Sequence, residues 1–202
     1  MKTLTKEIQD SINATKALDL LVDGNNRFVE NNKIDRDLNA QVSQTSAGQY
    51  PFAVILSCID SRVPAELVFD QGIGDVFSVR VAGNIVNEDI LGSIEYSCKV
   101  AGSKIVVVMG HTKCGAVTSA CKHVKLGNIT ALLEKIQPAV AEIESGGEMS
   151  PENIEKVAIL NVQKSIEQIR NESPILAEMQ KNKEIDIVGA IYSVETGKVL
   201  FL

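Results

Sequence analysis

The sequence predicts an α/β fold built on a central, mostly parallel β-sheet. Three observations carry the prediction. Short continuous apolar runs, such as Phe52–Ser57 and Ile105–Met109, lack the alternation of half-exposed strands and read as strands covered on both faces. Segments with helical periodicity separate these runs. The chain has 202 residues with 45% hydrophobic content, enough for one domain with a sizeable core.

The elements follow in chain order. Ala17, Leu18, Leu20, Leu21 and Phe28 form a helical apolar stripe in an arm-like first 50 residues. Gly24 and Asn25-Asn26 are expected to interrupt that stripe, and Asn31-Asn32 to end it. Residues 33–49 are polar and read as a loop with short turns. Phe52–Ser57 is the first strand and Val76–Arg80 the second. Residues 88–101 read as a helix with Ile90, Leu91, Ile94 and Cys98 on one face. Ile105–Met109 is the clearest strand, with Gly110 predicted to end it, and a helix is expected over 115–124. Two long helices are predicted over 129–144 and 151–170, punctuated by Gly146-Gly147 and Ser150-Pro151, since proline suits a first helical turn. Ile185–Val194 is another strand. Glu195–Lys198 is a turn, and Val199–Leu202 returns as an edge strand.

Bulk properties narrow the function. A net charge of −6 offers no positive field for nucleic acid. No apolar run approaches the roughly 20 residues of a membrane span. The first residues, MKTLTKEIQDSINATK, lack an apolar signal core, so a cytoplasmic location is expected. In that compartment Cys58, Cys98, Cys114 and Cys121 are thiols or metal ligands rather than disulfides. Cys98 and Cys121 read as core or near-surface thiols. The only other histidine besides His111 is His123, an exposed helix residue or a proton relay.

Four residues stand out: Cys58 and Asp60 in Cys58-Ile59-Asp60-Ser61-Arg62, and His111 and Cys114 in His111-Thr112-Lys113-Cys114. Both segments follow apolar strands, and sites in such sheets lie outside the carboxyl ends of the strands. Cys58 and Asp60 are two apart, so an extended backbone aims both side chains the same way. Two loops on neighbouring strands, roughly 5 Å apart, can converge on one zinc ion through two thiolates, an imidazole and a carboxylate. Arg62, with its planar fork, competes with the metal for Asp60. A centre that opens and shuts is expected: with Asp60 on Arg62, a water takes the vacant position and becomes a nucleophile. Two thiolates already cancel the charge of the cation, so activity is expected to rise toward alkaline pH.

At these residues the chain resembles the β-class carbonic anhydrases. The matching stretches are Ala17-Leu18, Leu21, Gly24-Asn25 and Arg27-Phe28, then Ser57 to Val63, Gly74-Asp75-Val76-Phe77 with Arg80, Ile94-Glu95-Tyr96, and Gly110 to Gly115. The resemblance implies one Zn²⁺ per chain held by Cys58, His111 and Cys114, with Asp60 as exchangeable fourth ligand and Arg62 as its partner. It implies reversible hydration of CO₂ to bicarbonate and a proton by a zinc-bound hydroxide. Gln49 matches a glutamine that donates to bicarbonate; Phe77 and Tyr96 match pocket walls, and Val63 lies close to the Asp60–Arg62 pair. Asp60 and Arg62 are thus the expected catalytic residues, and Gln49, Val63, Phe77 and Tyr96 the expected substrate contacts.

The family resemblance also implies about four parallel strands plus a C-terminal antiparallel edge strand, flanked by helices. Residues 1–202 are expected to form a single domain, with 1–48 as an N-terminal helical arm and 49–202 as the α/β zinc core. Relatives assemble as dimers, tetramers or larger forms, so a homodimer or tetramer is expected, with Gln49, Phe77 or Tyr96 serving either their own or the partner's zinc. Many relatives read R-N-x-A-N where this chain reads Arg80-Val81-Ala82-Gly83-Asn84, and small Ala82 implies a wider pocket. The chain has no tryptophan, the residue around which one branch builds a closed switch, and an open-type site with an Asp60–Arg62 dyad is therefore expected. The alternatives are a hydrolase of carbonyl sulfide or carbon disulfide, and a zinc-binding protein without turnover.

Overall fold

The computed structural model describes residues 3–147 and 149–202. Three helices come first: α1 (Lys6–Ser11), α2 (Ala14–Val29) and α3 (Leu38–Thr45). β1 (Ala53–Ser57), α4 (Ala65–Val68) and β2 (Val76–Arg80) follow, then a 3₁₀ turn over Ala82–Asn84. α5 (Glu88–Glu95) runs on through a π turn, Tyr96–Val100, into β3 (Ile105–His111). Beyond it lie α6 (Gly115–Cys121), α7 (Gly127–Glu134), α8 (Gln137–Glu144), α9 (Pro151–Glu172) and α10 (Pro174–Lys181), before β4 (Asp186–Tyr192) and β5 (Val199–Phe201).

Among the described residues the strands form one sheet in the order β2-β1-β3-β4-β5. β1, β2, β3 and β4 run parallel, and β5 is antiparallel to β4. Every residue of β1 and β3 is buried, which is why neither alternates in sequence. The strand period of two then sorts the core. Ala53, Ile55, Ile105, Val107 and Met109 pack with Ala17 and Leu21 of α2 and with Val68 and Phe69 at α4. Val54, Leu56, Val106 and Val108 pack on the other face, against Ile94, Val162, Ile166 and Leu176 of α5, α9 and α10. A third cluster, including Val117, Ile136, Val140 and Val157, sits with Cys58 and Cys114. It gives the loops beyond β1 and β3 a floor.

Several local expectations are corrected. α2 runs unbroken through Gly24 and Asn25-Asn26. A Cβ at Gly24 would lie 1.9 Å from the Phe69 carbonyl oxygen, so glycine there permits close packing rather than a break. Buried Asn25 donates through Nδ2 to Val68 O (3.0 Å) and Gly197 O (2.9 Å) and accepts from Val199 N (2.8 Å), stitching α2 to the turn before β5. The segment 33–49 is not all loop: Asp37 caps α3 by accepting from Ala40 N (2.9 Å), and buried Gln41 accepts from Ile73 N (3.1 Å). The helix predicted over 129–144 is two, with Pro138 in the first turn of α8, where it lacks the N–H to continue α7. Gly110 does not end β3, which pairs with β4 through His111↔Tyr192. A Cβ on Gly110 would lie 2.8 Å from Val162 Cγ2, so the glycine lets α9 cross the strand closely. His123 lies just past α6 at φ 50°, exposed beside Glu144. The short helices α4 and α10 were not anticipated.

Candidate metal centre

The sheet register brings the two motifs together. β1 and β3 are adjacent and parallel with Ser57 paired to Met109, so Cys58 and His111 leave neighbouring strands at the same carboxyl end. Cys114 is the residue before α6, in extended conformation at φ −69° and ψ 120°. Lys113 reaches that position through the left-handed region, at φ 55°. Its N–H donates to Glu155 Oε1 (2.9 Å) and its Nζ to Glu195 Oε1 (2.6 Å), which fixes the turn between the two ligand residues. Thr112 N–H donates to Tyr192 O (2.9 Å), tying the same turn to the end of β4.

Cys58, His111 and Cys114 are all buried, and their ligand atoms lie within 4.8 Å of one another. Both cysteines are free thiols, with the sulfurs 4.0 Å apart. A tetrahedral zinc with Zn–S near 2.3 Å sets its two sulfurs about 3.8 Å apart. His111 Nδ1 bonds Thr112 O at 2.9 Å, which assigns the proton to Nδ1 and the lone pair to Nε2. That Nε2 is buried without a hydrogen-bond partner. A fully buried imidazole nitrogen left unsatisfied among two thiols is costly unless a cation uses it. The residues therefore fit a zinc ion, and the Thr112 carbonyl would orient His111 as a ligand to it.

The two sulfurs differ. Despite burial, contact with the Cys114 thiol, and then with the neighbouring imidazole and the Gly83 and Asp60 backbone, holds Cys58 well below the usual thiol range. Contact with the Cys58 sulfur, together with burial, pushes Cys114 up. Zinc ligation requires both sulfurs as thiolates, so metal binding would release any proton they carry.

Asp60 stands beside the cluster, its Oδ2 3.9 Å from His111 Nε2. Arg62 grips it with a fork: Nε donates to Oδ1 (2.9 Å) and Nη2 to Oδ2 (2.8 Å), and the Arg62 backbone N–H adds a bond to Oδ1 (3.0 Å). The Arg62 side chain, ahead of its backbone amide, holds the Asp60 carboxyl well below the usual carboxylate range. Arg62 Nη2 also reaches Lys113 O (3.3 Å), so the fork spans both loops.

Two groups to which sequence reasoning gave no role complete the frame. Arg80, at the end of β2, donates to Cys58 O (3.0 Å) and Asp60 O (2.7 Å) and so holds the loop that carries both. Gly83 N–H donates to Cys58 Sγ (3.3 Å). Arg80 was legible only as a position matching the family resemblance, and Gly83 only as a member of the short Arg80–Asn84 segment.

None of the remaining candidates belongs to the Cys58–His111–Cys114 cluster. Val63 is fully buried in the core cluster of α2 and α4. Gln49 is exposed in the segment between α3 and β1. Phe77 and Tyr96 meet edge to face, ring centroids 6.3 Å apart, along edge strand β2. They line a cavity of about 710 Å³ with Arg80 and Glu88, and none of the three ligand residues borders it. Cys98 and Cys121 are buried, and burial alone pushes Cys98 up to about 12.

Comparison with known proteins agrees with this geometry. The family described as carbonic anhydrase matches residues 53–199. A protein named Carbonic anhydrase 2 from Mycobacterium tuberculosis (strain ATCC 25618 / H37Rv) is 32% identical over 194 residues, covering 93% of this chain and 92% of its own. A carbonic anhydrase of Mycolicibacterium smegmatis is likewise 32% identical, with the same coverage. Among solved structures, a β-carbonic anhydrase of Aspergillus fumigatus superposes with a TM-score of 0.73 at 28% identity, over 81% of each chain. No helix among the described residues is long and apolar enough to cross a membrane. By its sequence match, its sheet and its Cys-His-Cys cluster, this chain belongs to the β-class carbonic anhydrase family.

Proposed function

We propose that this chain catalyses the reversible hydration of CO₂ to bicarbonate and a proton, with one zinc ion on Cys58, His111 and Cys114 and an open-type site. The observation that carries the reading is the unpartnered, buried Nε2 of His111 between two thiols, with Asp60 beside it but held by the Arg62 fork. Zinc in this position supplies a water acidic enough to react near neutral pH. The protein's own residues do the rest. Asp60, kept ionised by Arg62, accepts a hydrogen bond from the attacking oxygen and turns its lone pair toward the carbon of CO₂. The same carboxylate disfavours any ligand that cannot donate to it.

CO₂ has no dipole, so its pocket needs apolar walls and one or two donors. Phe77 and Tyr96 are assigned to those walls and Gln49 to a bicarbonate oxygen, while Val63, fully buried, supports the Asp60–Arg62 pair from behind by donating its N–H to Asp60 O (3.0 Å). Because Phe77 and Tyr96 lie along the outer edge of β2, away from the three ligand residues of their own chain, a homodimer or tetramer that brings a second copy to this edge is part of the reading. Residues 1–202 act in it as a single domain, with 1–48 as the arm, and a cytoplasmic location suits its thiol ligands. The test is stopped-flow CO₂ hydration beside parallel assays with carbonyl sulfide and carbon disulfide. Rapid CO₂ turnover supports the proposal. Faster turnover of either sulfur compound, or none with any of the three in zinc-loaded protein, overturns it.

A further inference from the structure

One buried side chain on α9 reaches the metal centre without touching it. Asn161 is 3% exposed, and its Nδ2 donates to Gly83 O at 2.9 Å, across 78 residues of sequence. Gly83 N–H in turn donates to Cys58 Sγ at 3.3 Å. Gly83 sits at φ +69°, and an added Cβ would lie 2.7 Å from Ile136 Cδ1 and 3.3 Å from Ala116 Cβ. The position therefore takes glycine, whose φ and ψ are the least restrained of any residue. Such a residue holds a fixed amide direction only if its surroundings impose one. Its carbonyl and its amide lie on either side of one Cα, so gripping the carbonyl restrains the amide.

We propose that Asn161 is a positioning residue for the metal centre: by holding the Gly83 carbonyl it aims the Gly83 N–H at the Cys58 sulfur that binds the metal. This rests on the reading of Cys58, His111 and Cys114 as zinc ligands. An N–H donated to a thiolate draws electron density from the sulfur and fixes its orientation. The cation then keeps more of its charge for polarising water, and the ligand enters binding already ordered. A merely structural asparagine would satisfy the carbonyl and leave the sulfur's electronic environment alone.

The full chain loaded with ¹¹³Cd in place of zinc reports this contact directly. In a ¹H–¹¹³Cd correlation spectrum the wild type is expected to show coupling between the metal and the Gly83 amide proton through the N–H···S bond. Asn161→Leu, which keeps the branching and the number of heavy atoms but removes the donor, is expected to lose that cross-peak and shift the cadmium resonance. Its zinc affinity, measured by chelator competition, is expected to fall about 10-fold. If Asn161→Leu does not fold, Asn161→Ser is read in the same way, and the wild-type spectrum is already a test. Absence of the cross-peak in metal-loaded wild type, or its survival with unchanged shift and affinity in the folded variant, overturns the inference. Failure of the wild type to take up metal at all overturns the zinc reading instead.

Discussion

Replacing Asp60 by asparagine keeps the side chain's shape and removes its charge. In the structure both carboxylate oxygens accept from Arg62, at 2.9 and 2.8 Å, and one lies 3.9 Å from His111 Nε2. In Asp60→Asn one of those acceptors becomes an NH₂ group facing another donor, so the two-point grip on the arginine is broken. The variant also loses a charged acceptor for the attacking oxygen. Hydrogen bonds to charged groups are worth about 1.5–3 kcal/mol. If that bond forms only as the nucleophile is aligned, its loss slows the reaction about 10- to 150-fold. Cys58, His111 and Cys114 are untouched, so metal content is expected to stay equal to wild type. Stopped-flow CO₂ hydration with a metal assay on the same samples provides the check. An Asp60→Asn enzyme within about 3-fold of wild-type rate, well short of the loss expected for a charged acceptor, refutes the role given to Asp60. Loss of zinc would show that Asp60 is a structural ligand instead.

Further predictions concern pH, proton release and stability. Two thiolates cancel the formal charge of a divalent cation, so the hydration rate is expected to climb between about pH 6.5 and 9; a flat profile contradicts this. Turnover is expected to depend on buffer concentration, because exposed His123 pairs with Glu144 rather than with any group of the centre, and buffer-independent turnover would require a relay elsewhere. Arg27 and Arg36 grip buried Asp70 at 2.6 Å each, so Asp70→Asn is expected to lose about 3–5 kcal/mol in urea unfolding, and a loss under about 1 kcal/mol refutes the pairing. Burial opposes the Asp70 charge, yet the two arginines hold its carboxyl below the ordinary 3.8. A depressed carboxylate stabilises the fold above its unfolded value and loses that contribution as pH falls through the folded one. Wild type is therefore expected to lose stability below about pH 4 more steeply than Asp70→Asn, measured by acid unfolding.

The centre was legible because its parts are local. Cys58, Asp60 and Arg62 occupy five consecutive residues, His111 and Cys114 four, and each group follows an apolar run that becomes a central strand. Parallel neighbours must deliver such loops to one edge, so spacing along the chain translates into proximity. The frame around the centre was not legible. Asn161 and Glu155 act from α9 on Gly83 and Lys113, and nothing in a sequence window joins residues so far apart. The short helices α3, α4 and α10 escaped for a related reason, since helices of eight residues or fewer depend on tertiary support more than on propensity. Gln41, reaching Ile73 from α3, is such a support. Gly24 and Gly110 were read as breakers because glycine usually is one, whereas both mark places where another backbone or helix comes too close for a side chain.

X-ray absorption at the zinc edge of the purified protein tests the central claim most directly. The expected result is one zinc per chain, bound by two sulfurs at about 2.3 Å, one imidazole nitrogen at about 2.0 Å and one oxygen. Substoichiometric metal, or a shell without two sulfurs, would contradict it.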